Sequence, residues 1–386
     1  MSEAGQAMPD EAESVECRDS LLGLLASHDR VHVEGAGTKR ALALASQPDP
    51  VKRVSLRGLS GVTQYEPSEF TFTAWAGTPV RELQRMLGEN RQYLPFDPIL
   101  CDAGATLGGT VATGIAGSGR MRYGGIRDFV LAVESVTGDG DVIRTGGQVV
   151  KNAAGFDVPK LMVGSLGQFG VMTQVTMKVF PMAPSQRTLC VDCSGHGAAS
   201  RDVAVRQIAT LASGRWELDA LDYDSQRHRI WLRVAGPEEA LQPLLKDLIQ
   251  ACEDETTLVG ADDAAKFWAM CRELKWVSET DSDRDVIAAV GTSLTQFQRL
   301  VDAIDSENGI HCLHLSGGGS VTWIRFSVEL WEALDAMLKR LGLRGLPLLG
   351  RALAGRTSWV GGLDGMESML ASVRTAMDPG GRLVRR

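Results

Sequence analysis

The sequence predicts an α+β protein of two domains. Three observations carry that expectation. A chain of 386 residues is longer than one ordinary core organises. Strands of period two, such as Val171, Thr173, Val175, Met177 and Val179 alternating with Gln174, Thr176 and Lys178, are interleaved with amphipathic helical stretches. Glycine clusters crowd the chain up to Gly170, after which Pro181 and Pro184 mark a boundary.

Composition narrows the function classes. A net charge of -8 argues against nucleic-acid binding, which needs a basic face. No apolar run approaches the length of a membrane-spanning helix, so no transmembrane segment is expected. The opening "MSEAGQAMPDEAESVE" is acidic and polar, unlike an export signal. Residues 1–17 are expected to be a disordered tail. The chain is expected in the cytoplasm, with its seven cysteines as thiols.

The elements follow in order. Val31 and Val33 begin a strand that runs into Gly35-Ala36-Gly37-Thr38-Lys39. Arg40 stands where a dinucleotide fingerprint needs its third glycine; what survives is a loop whose N–H groups can form an anion-binding nest. In "TPVRELQRMLGEN", Thr78 is expected to cap a helix, with Pro79 first, Val80, Leu83 and Leu87 on its buried face and Gly88 at its end. Eight glycines then fall between Gly104 and Gly125, with Ala105, Leu107, Val111, Ala112 and Ile115 among them. Linkers lack such apolar residues, so this backbone is expected to pack against a large flat object. "FVLAVESVTGDGDVIRT" predicts a hairpin turning at Asp139-Gly140. Gly164, Gly167 and Gly170 lead into the strand from Val171; either the backbone bends there or something lies against it.

The second half carries an internal echo. "WLRV" from Trp231 precedes "EALQPLLKDL", and "WIRF" from Trp323 precedes "EALDAMLKRL". A strand feeding an amphipathic helix, twice, suggests a pseudo-symmetric domain of roughly ferredoxin-like type. The chain closes on a helix stopped by Pro379 and a basic tail. Cys190 and Cys193 form a C-x-x-C, but within a strand residues three apart face opposite ways, so a redox or zinc pair is not expected. The same argument applies to His311 and His314, and no metal site is expected. P-loop, H-E-x-x-H and G-x-S-x-G signatures are missing.

Taken together, "VTQYEPSEFTFTAWAGTPVREL", "GATLGGTVATGIAG", "GGIRDFVLAV", "GGQVVKNAAGFDVPKLMVGSLGQFGVMTQVTMKVFP" and "KFWAMCREL" resemble the flavoprotein family of the vanillyl-alcohol oxidase type, with its PCMH-type FAD domain. Within it, the chain is similar to the FAD-binding subunits of bacterial glycolate-oxidising complexes. The resemblance implies a PCMH-type FAD-binding domain of two α/β subdomains with a smaller α+β second domain. The boundaries it suggests are 18–183 for the FAD-binding domain, 184–345 for the second domain and 346–386 for a helical segment returning to the first.

It also implies non-covalent FAD, with the pyrophosphate on the loop Gly35, Ala36, Gly37, Thr38 and Lys39. Gly104, Ala105, Thr106, Gly108 and Gly109 would lie under the flavin and its phosphates. Ala112, Thr113 and Gly117 would follow its ring and ribityl chain, and Gly164, Gly170 and Val171 would close over it. The family's H-G-D-G-N-x-H block is replaced here by "HCLHLSGGGSVTW", and its Asn-Pro-Gly-Arg ending is absent. The first departure puts an independent hydroxy-acid site in doubt, and no catalytic residue is assigned. The implied partners are a hydroxy-acid-binding flavoprotein subunit, an iron–sulfur subunit and a small 2-hydroxy acid, with any inner-membrane contact made through the complex. The alternatives are a free-standing FAD-dependent D-2-hydroxy-acid dehydrogenase and a non-catalytic flavin-binding assembly subunit.

Overall fold

The computed structural model describes residues 12–42, 51–147, 157–276, 285–305, 309–350, 358–361, 365 and 367–384. Part of the block "GGQVVKNAAGFDV" therefore lies outside the described residues. Near the start, β1 (Val31–Glu34) and β2 (Lys52–Ser55) pair in parallel, and Glu13–Ser14 adds a parallel strand beside β2. Val15 is buried and its N–H donates to Ser55 O at 3.0 Å. The expected disordered tail thus gives way to ordered chain before residue 17. Burying the valine and pairing its backbone offsets the entropy of ordering this stretch. Helix α1 (Arg18–Ser27) follows and buries Leu21 and Leu25.

A five-stranded antiparallel sheet comes next, built from β3 (Val62–Glu66), β4 (Thr71–Trp75), β5 (Val130–Val136), β6 (Val142–Gly146) and β7 (Val171–Lys178) in the order β3-β4-β7-β5-β6. The expected hairpin is β5–β6, and Gly140 sits in its turn at φ +92°. Helix α2 (Val80–Glu89) buries Val80, Leu83 and Leu87 as the pattern requires. Its ends differ from expectation. Pro79 is the N-cap, while the Thr78 hydroxyl donates to Trp75 O (2.7 Å) and accepts from Gly61 N–H (3.0 Å), tying two loops together. The helix runs through Gly88, and Arg91 takes the left-handed turn at φ +53°. The short helix α3 (Leu107–Thr113) is capped by Thr106 and ended by Gly114 at φ +68°.

The second half is one eight-stranded antiparallel sheet: β8 (Ser185–Asp192), β9 (Ala220–Asp224), β10 (Arg229–Gly236), β11 (Glu255–Val259), β12 (Asp285–Gly291), β13 (Ile310–Ser316), β14 (Val321–Ser327) and β15 (Gly345–Gly350), ordered β11-β8-β10-β9-β13-β14-β12-β15. Helices α4 (Ser200–Ser213) and α5 (Glu238–Ala251) complete the first half. After α6 (Ala261–Arg272), α7 (Leu294–Asp305) and α8 (Trp331–Leu341) complete the second. Each half is therefore βαββαβ. The halves join where β9 meets β13, at Tyr223 opposite Leu315 and Asp224 opposite His314. The echo at Trp231 and Trp323 marks the third strand of each half, followed by α5 and α8. One ferredoxin-like unit is built twice, where the sequence suggested a single smaller domain.

The strand period decides what each sheet face meets. Leu232, Val234 and Leu221 pack under α4 and α5, and Val286, Ala288 and Val290 pack with α7 and α8 residues. On the opposite face Ile287, Ala289, Trp323, Leu346 and Leu348 pack with Leu42, Ile99, Leu100 and Ala105 from the first half. Helix α6 covers the rest of that face with Phe267, Trp268 and Cys271. Finally α9 (Glu367–Met377) leads the chain back: Val31 N–H donates to Arg382 O (2.8 Å) and Val384 N–H to Val31 O (2.9 Å). Asp378 fixes this turn by accepting from the N–H groups of Arg382 and Leu383. The tail docks without the family's usual ending. Among the described residues no helix is long and apolar enough to cross a membrane.

Candidate functional site: a cofactor cleft and a sealed junction

A cleft of about 1080 Å³, its open mouth included, lies where β1 ends. Val31 to Glu34 and the loop Gly35, Ala36, Gly37, Thr38 and Lys39 form one wall. Thr106, Gly108, Gly109, Ala112 and Thr113 form the second, and Gly167, Gly170 and Val171 the third. The walls meet closely enough to require glycine. A Cβ on Gly35 would stand 2.2 Å from Thr106 Oγ1, and one on Gly108 2.8 Å from Ala76 Cβ.

The glycines at 164, 167 and 170 answer both halves of the question they raise. All three have positive φ, at +78°, +75° and +123°, so the backbone does bend there. Gly167 and Gly170 also line the cleft, whereas Gly164 does not. Gly164 donates to Val111 O (3.0 Å) and lies under Gly114, whose Cβ would approach its Cα to 3.1 Å.

The chemistry of the first wall suits a bound anion. Among the described residues the N–H groups of Ala36, Gly37 and Thr38 donate to no protein acceptor. Lys39 is 9% exposed, and its side chain has neither an ion pair nor a hydrogen bond among the described residues. Burial pushes its ammonium pKa down to about 8. The one carboxylate on this wall, Glu34, is neutralised by Arg53 at 3.0 Å. Three amides without a protein acceptor and an uncompensated buried cation fit the diphosphate of a dinucleotide, and the cleft between small-residue walls fits the rest of FAD.

Of the residues expected around FAD, Gly104, Ala105, Gly117 and Gly164 lie away from the cleft lining. Gly104 takes φ +93° in the turn that closes on Cys101 O. Ala105 is buried between Leu100 O and Val80 N–H. Gly117 packs on the Asp97 carbonyl, 2.4 Å from where its Cβ would be. Sequence reasoning missed His32, Leu42, Leu166, Met172, Leu383 and Val384, which do line it. The alternation of Val31 and Val33 could have flagged His32; nothing local flags the last two.

A second polar cluster sits between the two sheets, and it is closed. Arg233 on β10 donates to Asp97 (2.7 Å) and to Asp219, and lies over the Trp268 ring at 4.8 Å. Burial would lower its pKa, but the two carboxylates override that and raise it. Nearby, Asp222 accepts from Ser118 Oγ (2.6 Å) and Gly317 N–H (3.1 Å) and lies 2.9 Å from His314 Nε2. Trp276 stacks on His314, with ring centres 5.1 Å apart. His314 is therefore not an ordinary strand residue: it helps lock the two halves together. Among the described residues one group of possible metal ligands, Asp222, Cys271 and His314, comes within 4.8 Å, although Asp222 already holds three partners. His311 is exposed. Cys193 is buried in the core under the helices, Cys190 lies outside that core, and both are free thiols that burial pushes up, to about 12 and about 11.

Comparisons with known proteins agree with the cleft. A model of the FAD binding domain family matches residues 13–146. "Glycolate oxidase subunit GlcE" of Escherichia coli (strain K12) is 30% identical over 311 residues, 76% of this chain and 81% of that protein. "Glycolate oxidase subunit GlcD" of Bacillus subtilis (strain 168) is 28% identical over 52% of this chain and 43% of that protein. The mitochondrial "D-lactate dehydrogenase [cytochrome]" of Arabidopsis thaliana is 36% identical over 34% of this chain and 22% of that protein. A solved alkyldihydroxyacetonephosphate synthase superposes with a TM-score of 0.69 over 97% of this chain and 76% of its own, at 16% identity, a likeness of fold alone. With a cleft that fits the dinucleotide and a relative matched along most of both chains, this protein belongs to the PCMH-type FAD-binding family of flavin-dependent oxidoreductases, and FAD is its cofactor.

Proposed function

We propose that this chain is the FAD-binding subunit of a multi-subunit glycolate oxidase (glycolate dehydrogenase) complex, which oxidises glycolate to glyoxylate. A separate hydroxy-acid-binding flavoprotein and an iron–sulfur subunit are its partners. FAD is held without a covalent bond: the amides of Ala36, Gly37 and Thr38 and the Lys39 side chain meet its diphosphate, and Thr106, Gly108, Gly109, Gly170 and Val171 flank it. When bound, the flavin accepts electrons in pairs and can release them singly. The protein's part is to bind and orient it and to keep water off the buried face.

The observation that carries the subunit reading is the state of Arg233. A hydroxy acid must be held by its carboxylate, and its hydroxyl proton must go to a base. The buried arginine between the sheets is already paired with Asp97 and Asp219. Its neighbour Asp222 is fully engaged by Ser118, His314 and Gly317. This supports a subunit that handles electrons and leaves substrate capture to a partner.

The test is direct. Acid precipitation of the purified chain should release yellow FAD. The chain alone should not reduce a dye with glycolate or D-lactate, and adding the two partner subunits should restore glycolate-dependent reduction. Turnover of glycolate or D-lactate by the isolated chain would overturn this reading in favour of a free-standing dehydrogenase.

A further inference from the structure

We propose that Lys39 couples cofactor binding to a proton: its buried side chain, which meets no carboxylate among the described residues, must be charged to receive the diphosphate. The inference rests on the cleft being the FAD site. Geometry supports it. Lys39 follows three amides that have no protein acceptor among the described residues, lines the cleft, is almost wholly buried and meets no carboxylate among those residues. A buried ammonium without a counter-ion is costly, and a dianionic diphosphate beside it removes that cost.

Among the described residues the other titratable groups here are few, and Arg40, next in the chain, is exposed. Cys101 faces Lys39, and burial pushes its thiol up to about 12, so it stays neutral across the working range. Asp102 lies on the same turn, and its backbone N–H is held by Glu273. Glu34 is paired with Arg53, and His32 stands 3.7 Å from Glu34. The walls at 107–113 and 166–172 carry no titratable side chain, and neither does β15.

The signs follow from linkage. In the empty protein the Lys39 pKa is depressed to about 8, so the folded chain binds fewer protons than the unfolded one. Stability of the apoprotein therefore rises with pH from about 8 toward the ordinary lysine value of about 10.4. The diphosphate raises the same pKa, so FAD affinity is full below pH 8 and falls above it, approaching tenfold per unit. Tighter apoprotein and weaker cofactor binding over one pH window is a signature that a purely structural lysine lacks.

The experiment titrates apoprotein with FAD, and separately with ADP, from pH 6.5 to 9.5. Wild type is compared with Lys39→Arg, which stays charged, and Lys39→Met, which never is. Wild type should lose affinity for both ligands above pH 8. Lys39→Arg should bind with a flat profile, and Lys39→Met should bind weakly at every pH while its apoprotein loses the alkaline gain in melting temperature. A flat wild-type profile, or Lys39→Met binding as wild type does, overturns the inference. A slope for FAD but not for ADP overturns the assignment to the diphosphate. Failure of wild type and both variants alike to bind FAD sinks the cofactor site itself, a separate outcome.

Discussion

The cleft and the junction between the sheets are both buried and polar, and they are built in opposite ways. The cleft is backbone: glycine pressed on threonine, with three amide N–H groups and one lysine side chain that meet no partner among the described residues. The junction is side chains, with Arg233 between two carboxylates and Asp222 among three partners. Polar groups left unpaired in a buried place are expensive unless a ligand completes them. The first region is thus shaped to receive something and the second to exclude it. That contrast gives a flavoprotein half with a receptive cofactor site and a cap whose inner face is already sealed.

The largest effect should come from filling the receptive region. The Cβ of Gly109→Val would come to 3.0 Å from Thr106 Oγ1 and otherwise meet open cleft. The apoprotein should keep its fold, and FAD should be lost from the purified protein. Absorbance of the flavin band against protein, with circular dichroism as the folding control, measures both. A folded Gly109→Val that keeps stoichiometric FAD would mean that the cofactor lies elsewhere.

Breaking the sealed region should instead cost stability. Arg233→Met leaves Asp97 and Asp219 buried without their cation, a loss of about 3–5 kcal/mol. Denaturant unfolding should show it. Adding Asp97→Asn and Asp219→Asn should recover part of it, since the stranded charges cause most of the damage. FAD affinity of the folded fraction should not change, because Arg233 lies outside the cleft lining. If Arg233→Met lost FAD and kept its stability, the roles of the two regions would be reversed.

This difference in construction also decided what could be read in the chain. A backbone-built wall is contiguous, so Gly35 to Lys39 and Thr106 to Thr113 stand out as blocks. The doubled βαββαβ unit left a trace because Trp231 and Trp323 occupy the same place in each repeat. The junction left none: Asp97, Asp219, Asp222, Arg233 and His314 are scattered, and each alone resembles a surface charge or a strand residue. Leu383 and Val384 enter the cleft only because Asp378 turns the tail back onto β1. Gly104 and Gly117 lie outside the cleft lining, and in the sequence a glycine needed for a turn or a close backbone contact looks the same as one beside a cofactor.

A smaller effect separates those two kinds of glycine. Gly140 turns the β5–β6 hairpin at φ +92°, and a methyl group placed on it would find its nearest foreign atom, Leu22 Cδ2, 3.8 Å away. Gly140→Ala has room but the wrong backbone preference, so it should cost about 1–2 kcal/mol and leave FAD content intact. Loss of FAD from this variant would show that the comparison between cofactor and structural glycines is drawn in the wrong place.

The smallest expected effect is none at all, and it tests the sealed region again. Asp222, Cys271 and His314 are close enough to hold an ion. Seating one would cost existing bonds, because Asp222 Oδ2 is engaged by Ser118 and His314 and Oδ1 by Gly317 N–H. Burial first, and then the Asp222 charge, hold the Cys271 thiol well above its ordinary pKa, which works against forming the thiolate that a metal prefers. Exhaustive chelation should therefore leave melting temperature and flavin content unchanged. A fall in melting temperature that zinc reverses would show that the junction, like the cleft, is built to receive a ligand, and the contrast between the two regions would fail.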